Sequence, residues 1–397
     1  MEKILFKILN NKELKGELNI KYNNKVFSYG NRAINSELIY TQKADLNILN
    51  SNFFWRVALF GDTGFGESYF LGEIETADLK SLLLWFLQNQ KYFPGFRNKN
   101  NSLITTKIFN IFLNIIHLMR KNTRRGSKKN IRSHYDLSND FYKLWLDPTM
   151  TYSAAIFKDT NDLEQAQINK YKNICDKLGI TKNDHVLEIG CGWGGFATYA
   201  AKNYGCSLTI TTISDEQFTY CSNHIKQHGL SEKISLIKTD YRDLDGKYDK
   251  IVSIEMMEAL GHEYVPIFIK KCEQLLKAGG SARVQCITYP DEFFEKYLKQ
   301  PNYIQQYIFP GGELLSLEQI FRNARESGLQ LTDKESIGKD YAITLHKWRN
   351  SFESKKSEIL KLGFDEQFFR KWIYYFVFCE VGFETGYIDD FQLQFIK

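Results

Sequence analysis

Between residues 185 and 288 the chain repeats one rhythm: a short apolar run, a turn, and then, in several cases, a longer stretch at helical spacing. The runs are His185–Ile189, 206–213, 233–238, 250–254 and 281–288. Each is short and bounded by turn residues, which predicts buried strands. Helices are predicted from Phe196 onward and across "EYVPIFIKKCEQLLKAG" (263–279). Strands alternating with helices imply an α/β domain, which we place at 136–397. Residues 1–90 alternate short apolar runs with Asn, Lys and Gly, then reach "ADLKSLLLWFLQN", a predicted helix. They read as a smaller N-terminal α+β domain, and residues 91–135 as a connector.

In the connector, "LITTKIFNIFLNIIHLMRK" (103–121) sets Lys107, Asn110, Asn114, His117 and Lys121 at spacings of three and four. They form one polar stripe on a helix otherwise of Ile, Leu and Phe. Such a helix either lies on a lipid surface or packs against the N-terminal region. It is too short and too polar to span a membrane, and no window elsewhere is continuously apolar over about 18 residues.

The net charge, +5, is mild, but its distribution is uneven. From Lys80 to Tyr135 there are 12 Lys or Arg and no Asp or Glu, and seven of the 12 fall in "RKNTRRGSKKNIR" (120–132). A block of this kind seeks a polyanion, and an anionic membrane surface is the expected partner. No nucleic-acid-binding motif accompanies it, so nucleic acid is not expected. The seven Cys contain no CxxC pair, which points to reduced thiols in a cytoplasmic protein and to no metal site.

The strongest local signal is "DHVLEIGCGWGGFATYAAKNYG" (184–205), a strand, a turn with Gly190, Gly192, Gly194 and Gly195, and a helix. Glycines there let backbone approach a ligand, and in open α/β sheets such turns lie at the ligand-binding edge. NAD is one candidate ligand. The acid-Ile-Gly-Cys-Gly-x-Gly-Gly form, with "TDYRDL" (239–244) further on, favours S-adenosylmethionine. After the run 250–254 come Glu255, two Met and Glu258. Glu258 is expected at the carboxyl edge of the sheet, near the cofactor's reactive end. The plain alternative is a surface carboxylate near a helix start.

Several stretches taken together resemble the cyclopropane-fatty-acyl-phospholipid synthase family. They are "SHYDLSNDFYKLWLDPTMTYS" (133–153), "VLEIGCGWGGFATYAA" (186–201), "TTISDEQ" (211–217), "DYRDL" (240–244), "YIFPGG" (307–312) and "CEVGFETGYIDDFQLQF" (379–395). "GFGESYFLGEIETADL" (64–79) resembles a segment of the longer bacterial members. The resemblance implies a class I methyltransferase fold, a seven-stranded, mostly parallel sheet with helices on both faces and the last strand antiparallel. It implies S-adenosylmethionine as methyl donor and unsaturated acyl chains of membrane phospholipids as acceptors. Residues 1–90 would then recognise lipid or a partner. It also suggests a homodimer bound peripherally at the inner face of the membrane. By position it makes Tyr152, Ser153, Gly190, Gly192, Ile213, Gln217 and Tyr241 cofactor contacts.

In that family the alkene attacks the sulfonium methyl, and a base then removes a proton from the resulting carbocation. The base is a bicarbonate held by a cysteine backbone amide, a glutamate, a histidine, a tyrosine and an isoleucine backbone. Carried over, these are Ala154 in place of the cysteine, Glu258, Gln285 in place of the histidine, Tyr341 and Ile287. Ala154 keeps the backbone N–H. Gln285 cannot carry a positive charge, and a charge-assisted bond is roughly twice as strong as a neutral one. Bicarbonate is therefore expected to bind weakly or not at all. The expected product is a cyclopropane. The altered cradle leaves two alternatives: a methyl- or methylene-branched chain, with Glu258 itself as a candidate base, or an inactive lipid-binding relative. His134, inside the motif, reads as structural, and His262 is a weaker replacement for the missing histidine.

Overall fold

The structure is a computed structural model. It describes residues 1–30, 40–41, 43–93, 137–299 and 302–397. The connector helix, the basic run 120–132 and His134 lie outside the described residues. No helix among the described residues is long and apolar enough to cross a membrane.

The described residues form two compact units. The first joins the N-terminal residues through Phe93 with 302–308 and 356–381, so it is not the N-terminal stretch alone. Its sheet comprises β1 (Glu17–Tyr22), β2 (Lys25–Tyr29), β3 (Lys43–Ile48) and β4 (Ile74–Glu75), in the order β2-β1-β3-β4. β1 pairs antiparallel with β2 and parallel with β3. The helix Leu79–Gln88 starts where Asp78 accepts the backbone N–H groups of Lys80 and Ser81, as an N-cap should. It buries Leu82, Leu83, Trp85 and Phe86. The unit's interior is strongly aromatic: Phe53, Phe65, Phe86 and Trp85 meet edge to face at 5.3–6.0 Å.

The second unit holds a seven-stranded sheet of β5 (His185–Ile189), β6 (Ser207–Thr211), β7 (Ile234–Ile237), β8 (Tyr248–Ile254), β9 (Leu276–Thr288), β10 (Gln330–Ser336) and β11 (Asp389–Ile396). The order is β10-β11-β9-β8-β5-β6-β7. β5 to β9 pair parallel, and β11 runs antiparallel to both of its neighbours. Alternating side chains feed two cores. Leu187, Ile189 and Ile251 face the helices Val265–Leu275 and Leu317–Glu326. Val186, Leu208 and Val252 face Leu163–Leu178 and Gly195–Tyr204. Strands buried on both faces need apolar residues on both, which is why β5 and β8 appear in the sequence as mainly apolar runs, broken by Glu188 in β5 and Ser253 in β8.

Two boundaries differ from the sequence expectation. The helix expected over 263–279 ends at Leu275, and β9 begins at once at Leu276, whose register partner is Tyr248. β10 and β11 were not expected from pattern, because their residues are largely polar.

Candidate active site

The sheet turns back on itself beside β5. The chain fills β6 and β7 on one side, then crosses to lay β8 on the other. Such a switch point opens a crevice beyond the strand carboxyl ends. Two segments enter it: the turn after β5 and the loop after β8. In the turn, Gly190, Gly192 and Gly194 have φ of 82°, 53° and 86°. That left-handed backbone suits glycine. At Gly190 a Cβ would also lie 2.5 Å from Met256 Cγ, whereas a Cβ at Gly192 would meet nothing within 4 Å. The turn is pinned by the Gly190 and Cys191 N–H groups, both donating to the Thr211 carbonyl at 3.0 Å.

The resulting cavity is lined by all seven residues expected to contact a cofactor: Tyr152, Ser153, Gly190, Gly192, Ile213, Gln217 and Tyr241. Gln217 is oriented by the Thr212 hydroxyl, which donates to its side-chain oxygen at 2.8 Å. The Tyr241 hydroxyl is buried with no hydrogen-bond partner among the described residues, and burial raises it to about 12. An unsatisfied buried hydroxyl, open space above Gly192 and a glycine-lined turn are what a nucleoside-bearing cofactor would fill. Tyr152 joins the cavity to an aromatic wall. Its ring lies 5.6 Å from Tyr142, 5.4 Å from Trp145, 5.2 Å from Trp348 and 6.1 Å from Phe309.

The expected anion cradle divides between two carboxylates. The Ile287 N–H donates to Glu258 Oε1 at 2.5 Å. Glu258 Oε2 is buried and has no partner among the described residues. Burial, then the nearby Glu255 charge, raises Glu258 to about 8. The other three cradle groups converge on Glu255. The Ala154 N–H and Gln285 Nε2 both donate to its Oε1 at 2.7 Å, and the Tyr341 hydroxyl donates to its Oε2 at 2.8 Å. It is Glu255, not Glu258, that lines the cavity.

Sequence reasoning assigned no role to Glu255, Asp390 or Lys170. Asp390 accepts from Gln285 Nε2 at 2.9 Å and interacts electrostatically with Glu255. Desolvation raises both carboxyls. Gln392 fixes Gln285 by donating to its Oε1 at 3.0 Å. Lys170 is fully buried and donates to Ser153 Oγ at 2.5 Å. Desolvation lowers it to about 8, opposed by the charges of Glu255, Asp147, Asp390 and Glu188. Glu188, on β5, is itself raised to about 8 by burial. His262 does not line the cavity; Glu313 accepts from its backbone N–H and holds its ring, both at 2.6 Å.

A sheet of this strand order, with β11 reversed and a glycine turn opening on the switch-point crevice, defines a class I methyltransferase. Within that class, the model of the mycolic acid cyclopropane synthetase family matches residues 122–393, and the chain belongs to this family of S-adenosylmethionine-dependent fatty-acyl methyltransferases. It is 34% identical over 362 residues to the tuberculostearic acid methyltransferase UfaA1 of Mycobacterium tuberculosis, covering 86% of this chain and 80% of that one. It is 33% identical over 382 residues to the cyclopropane-fatty-acyl-phospholipid synthase of Escherichia coli K12, covering 94% and 92%. Among solved structures it is similar to the mycolic acid cyclopropane synthase CmaA1 complexed with SAH and CTAB. The TM-score there is 0.64 at 31% identity, covering 68% of this chain and 98% of that one.

Proposed function

We propose that this chain methylates the double bond of unsaturated acyl chains carried on membrane phospholipids. The observation that carries the reading is the single cavity in which the glycine turn, Gln217 and Tyr241 at one side meet Tyr152 and the Glu255 carboxylate at the other. S-adenosylmethionine, when bound, supplies an electrophilic methyl group. Gly190, Gly192, Ile213, Gln217 and Tyr241 would hold it, with Tyr152 and Ser153 beside the reacting end. The acyl double bond attacks that methyl, and positive charge develops on the chain. The faces of Tyr152 and its aromatic neighbours oppose that charge, each contributing about 0.5–2 kcal/mol. A carboxylate then takes a proton, and the chain is left neutral.

Loss of a proton from the new methyl group with ring closure gives a cyclopropane, the first reading. Loss of a chain proton beside the cationic carbon gives a methyl-branched alkene, and a 1,2-hydride shift onto that carbon followed by loss of a proton from the new methyl group gives a methylene-branched chain. One observation favours this second reading: the donors expected around an external base are engaged by a fixed protein carboxylate, whose reach differs. The 12 Lys or Arg without an acid between Lys80 and Tyr135 support an anionic lipid surface as the source of substrate.

Purified protein incubated with S-adenosylmethionine and vesicles of dioleoyl phosphatidylglycerol tests this. The acyl chains are expected to gain one CH₂, and mild hydrogenation separates the outcomes, since a ring resists it and a branched alkene takes up hydrogen. Unchanged acyl chains would contradict the reading.

A further inference from the structure

We infer that Glu255 occupies the anion position of this site, so that the chain carries its own base and needs no bicarbonate. The inference rests on the acyl-methylation reading and concerns which group removes the proton. Three groups expected to surround an external oxyanion, the Ala154 N–H, the Gln285 amide and the Tyr341 hydroxyl, instead reach the two oxygens of one side chain at 2.7–2.8 Å. A carboxylate and a bicarbonate present the same planar O–C–O edge with the same charge. The donors that fit one fit the other, and they cannot serve both at once.

The backbone confirms that this placement is held against a cost. Glu255 has φ of 47°, left-handed for a residue that is not glycine. Such strain persists where surrounding structure over-determines it, as at functional sites. Here the Glu255 N–H is fixed by the Gln285 carbonyl at 2.9 Å while its side chain is fixed by the Gln285 amide, so one residue grips both ends. Gln285 brings no positive charge to the cradle, and the buried Lys170 ammonium interacts favourably with the Glu255 charge.

The step balances without a further reactant. The alkene π pair forms the new carbon–carbon bond as the methyl–sulfur bond breaks, its pair going to sulfur. A C–H bond of the cationic chain then gives its proton to a Glu255 oxygen, and its electron pair closes the ring or forms the double bond.

Two measurements on the full chain test this. In CO₂-depleted buffer, bicarbonate is titrated calorimetrically into wild type and Glu255→Gly, a change the left-handed backbone accommodates. Wild type is expected to give no binding and Glu255→Gly to bind. With dioleoyl phosphatidylglycerol vesicles, wild-type turnover is expected to be indifferent to added bicarbonate. Glu255→Gly is expected to lose about 100-fold, as removal of a general base does, and to recover in part when bicarbonate is added. Glu255→Gln fills the same space; it is expected to keep S-adenosylmethionine binding, lose turnover and not recover. Bicarbonate binding to wild type, bicarbonate stimulation of wild type, or full turnover by Glu255→Gln would each overturn the inference. If wild type methylates no lipid, the substrate reading fails, while the titration still decides whether Glu255 fills the anion position.

Discussion

Glu258 and Glu255 stand three residues apart, yet burial gives them different parts. Glu258 has one hydrogen bond from Ile287 and a bare second oxygen, and its carboxyl is raised to about 8. A carboxyl raised on folding binds its proton more tightly in the native state than in the unfolded chain. As pH rises from the ordinary glutamate value of 4.5 towards about 8, the unfolded state loses that proton first. Glu258 therefore makes stability fall across that window. Glu258→Gln removes the titration. Its melting temperature relative to wild type is expected to climb between pH 5.5 and pH 8, values about the span of that window, and scanning calorimetry at several pH values checks it. A constant difference would show that Glu258 stays ionised throughout. Little of this was legible in the sequence. Two acids after an apolar run marked the place, and resemblance pointed to Glu258. The donors were also identifiable, since Ala154, Gln285, Tyr341 and Ile287 could be placed by motif. What no motif states is a backbone angle, and it is the φ of Glu255 that turns its side chain to meet three of those donors. Lys170 was hidden for a different reason. It lies in "LEQAQINKYKNICDKL", a polar helix in which nothing separates a buried lysine from its solvated neighbours.

The elements that carry the site are β5 and β8 with the loops that follow them. Both strands announce themselves, because burial on two faces demands apolar residues on each. β11 did not, because Asp390 and Gln392 are fully buried polar residues within it. Hydrogen bonds hold them there: Asp390 Oδ2 accepts from Gln285 Nε2 at 2.9 Å, Gln392 Oε1 accepts from Arg283 Nε at 3.0 Å, and Gln392 donates to Gln285 Oε1 at 3.0 Å. A strand whose inner face is a hydrogen-bonded polar layer breaks the alternation on which sequence reading depends. The glycine turn makes the opposite case, since its spacing was plain and its geometry agrees. Gly190 is limited by both its φ of 82° and the Met256 side chain behind it. Gly190→Ala is expected to weaken S-adenosylmethionine binding by about 10-fold or more, a loss of about 1.4 kcal/mol, by displacing Met256 into the cavity. Isothermal titration with the cofactor measures this; unchanged affinity would mean that the turn does not face the ligand.

At the scale of the whole molecule, the chain divides by function less simply than by position. The second unit contains every described residue assigned to the reaction. The first draws on three stretches of sequence, and its aromatic interior was foreshadowed by the chain's 15% aromatic content. The acid-free stretch from Lys80 to Tyr135 brings charge suited to an anionic lipid surface. Attraction of this kind is worth about 1 kcal/mol per basic residue near such a surface and fades with salt. Binding and chemistry can therefore be read in one assay. Protein supplied with trideuteromethyl-labelled S-adenosylmethionine is mixed with vesicles of dioleoyl phosphatidylglycerol, and the acyl chains are analysed by mass spectrometry. The account predicts deuterium in the acyl chain, on the one added carbon bonded at the former double bond, with a yield that falls as salt rises. A protein that binds the labelled donor yet leaves every acyl chain unlabelled at low salt would contradict it.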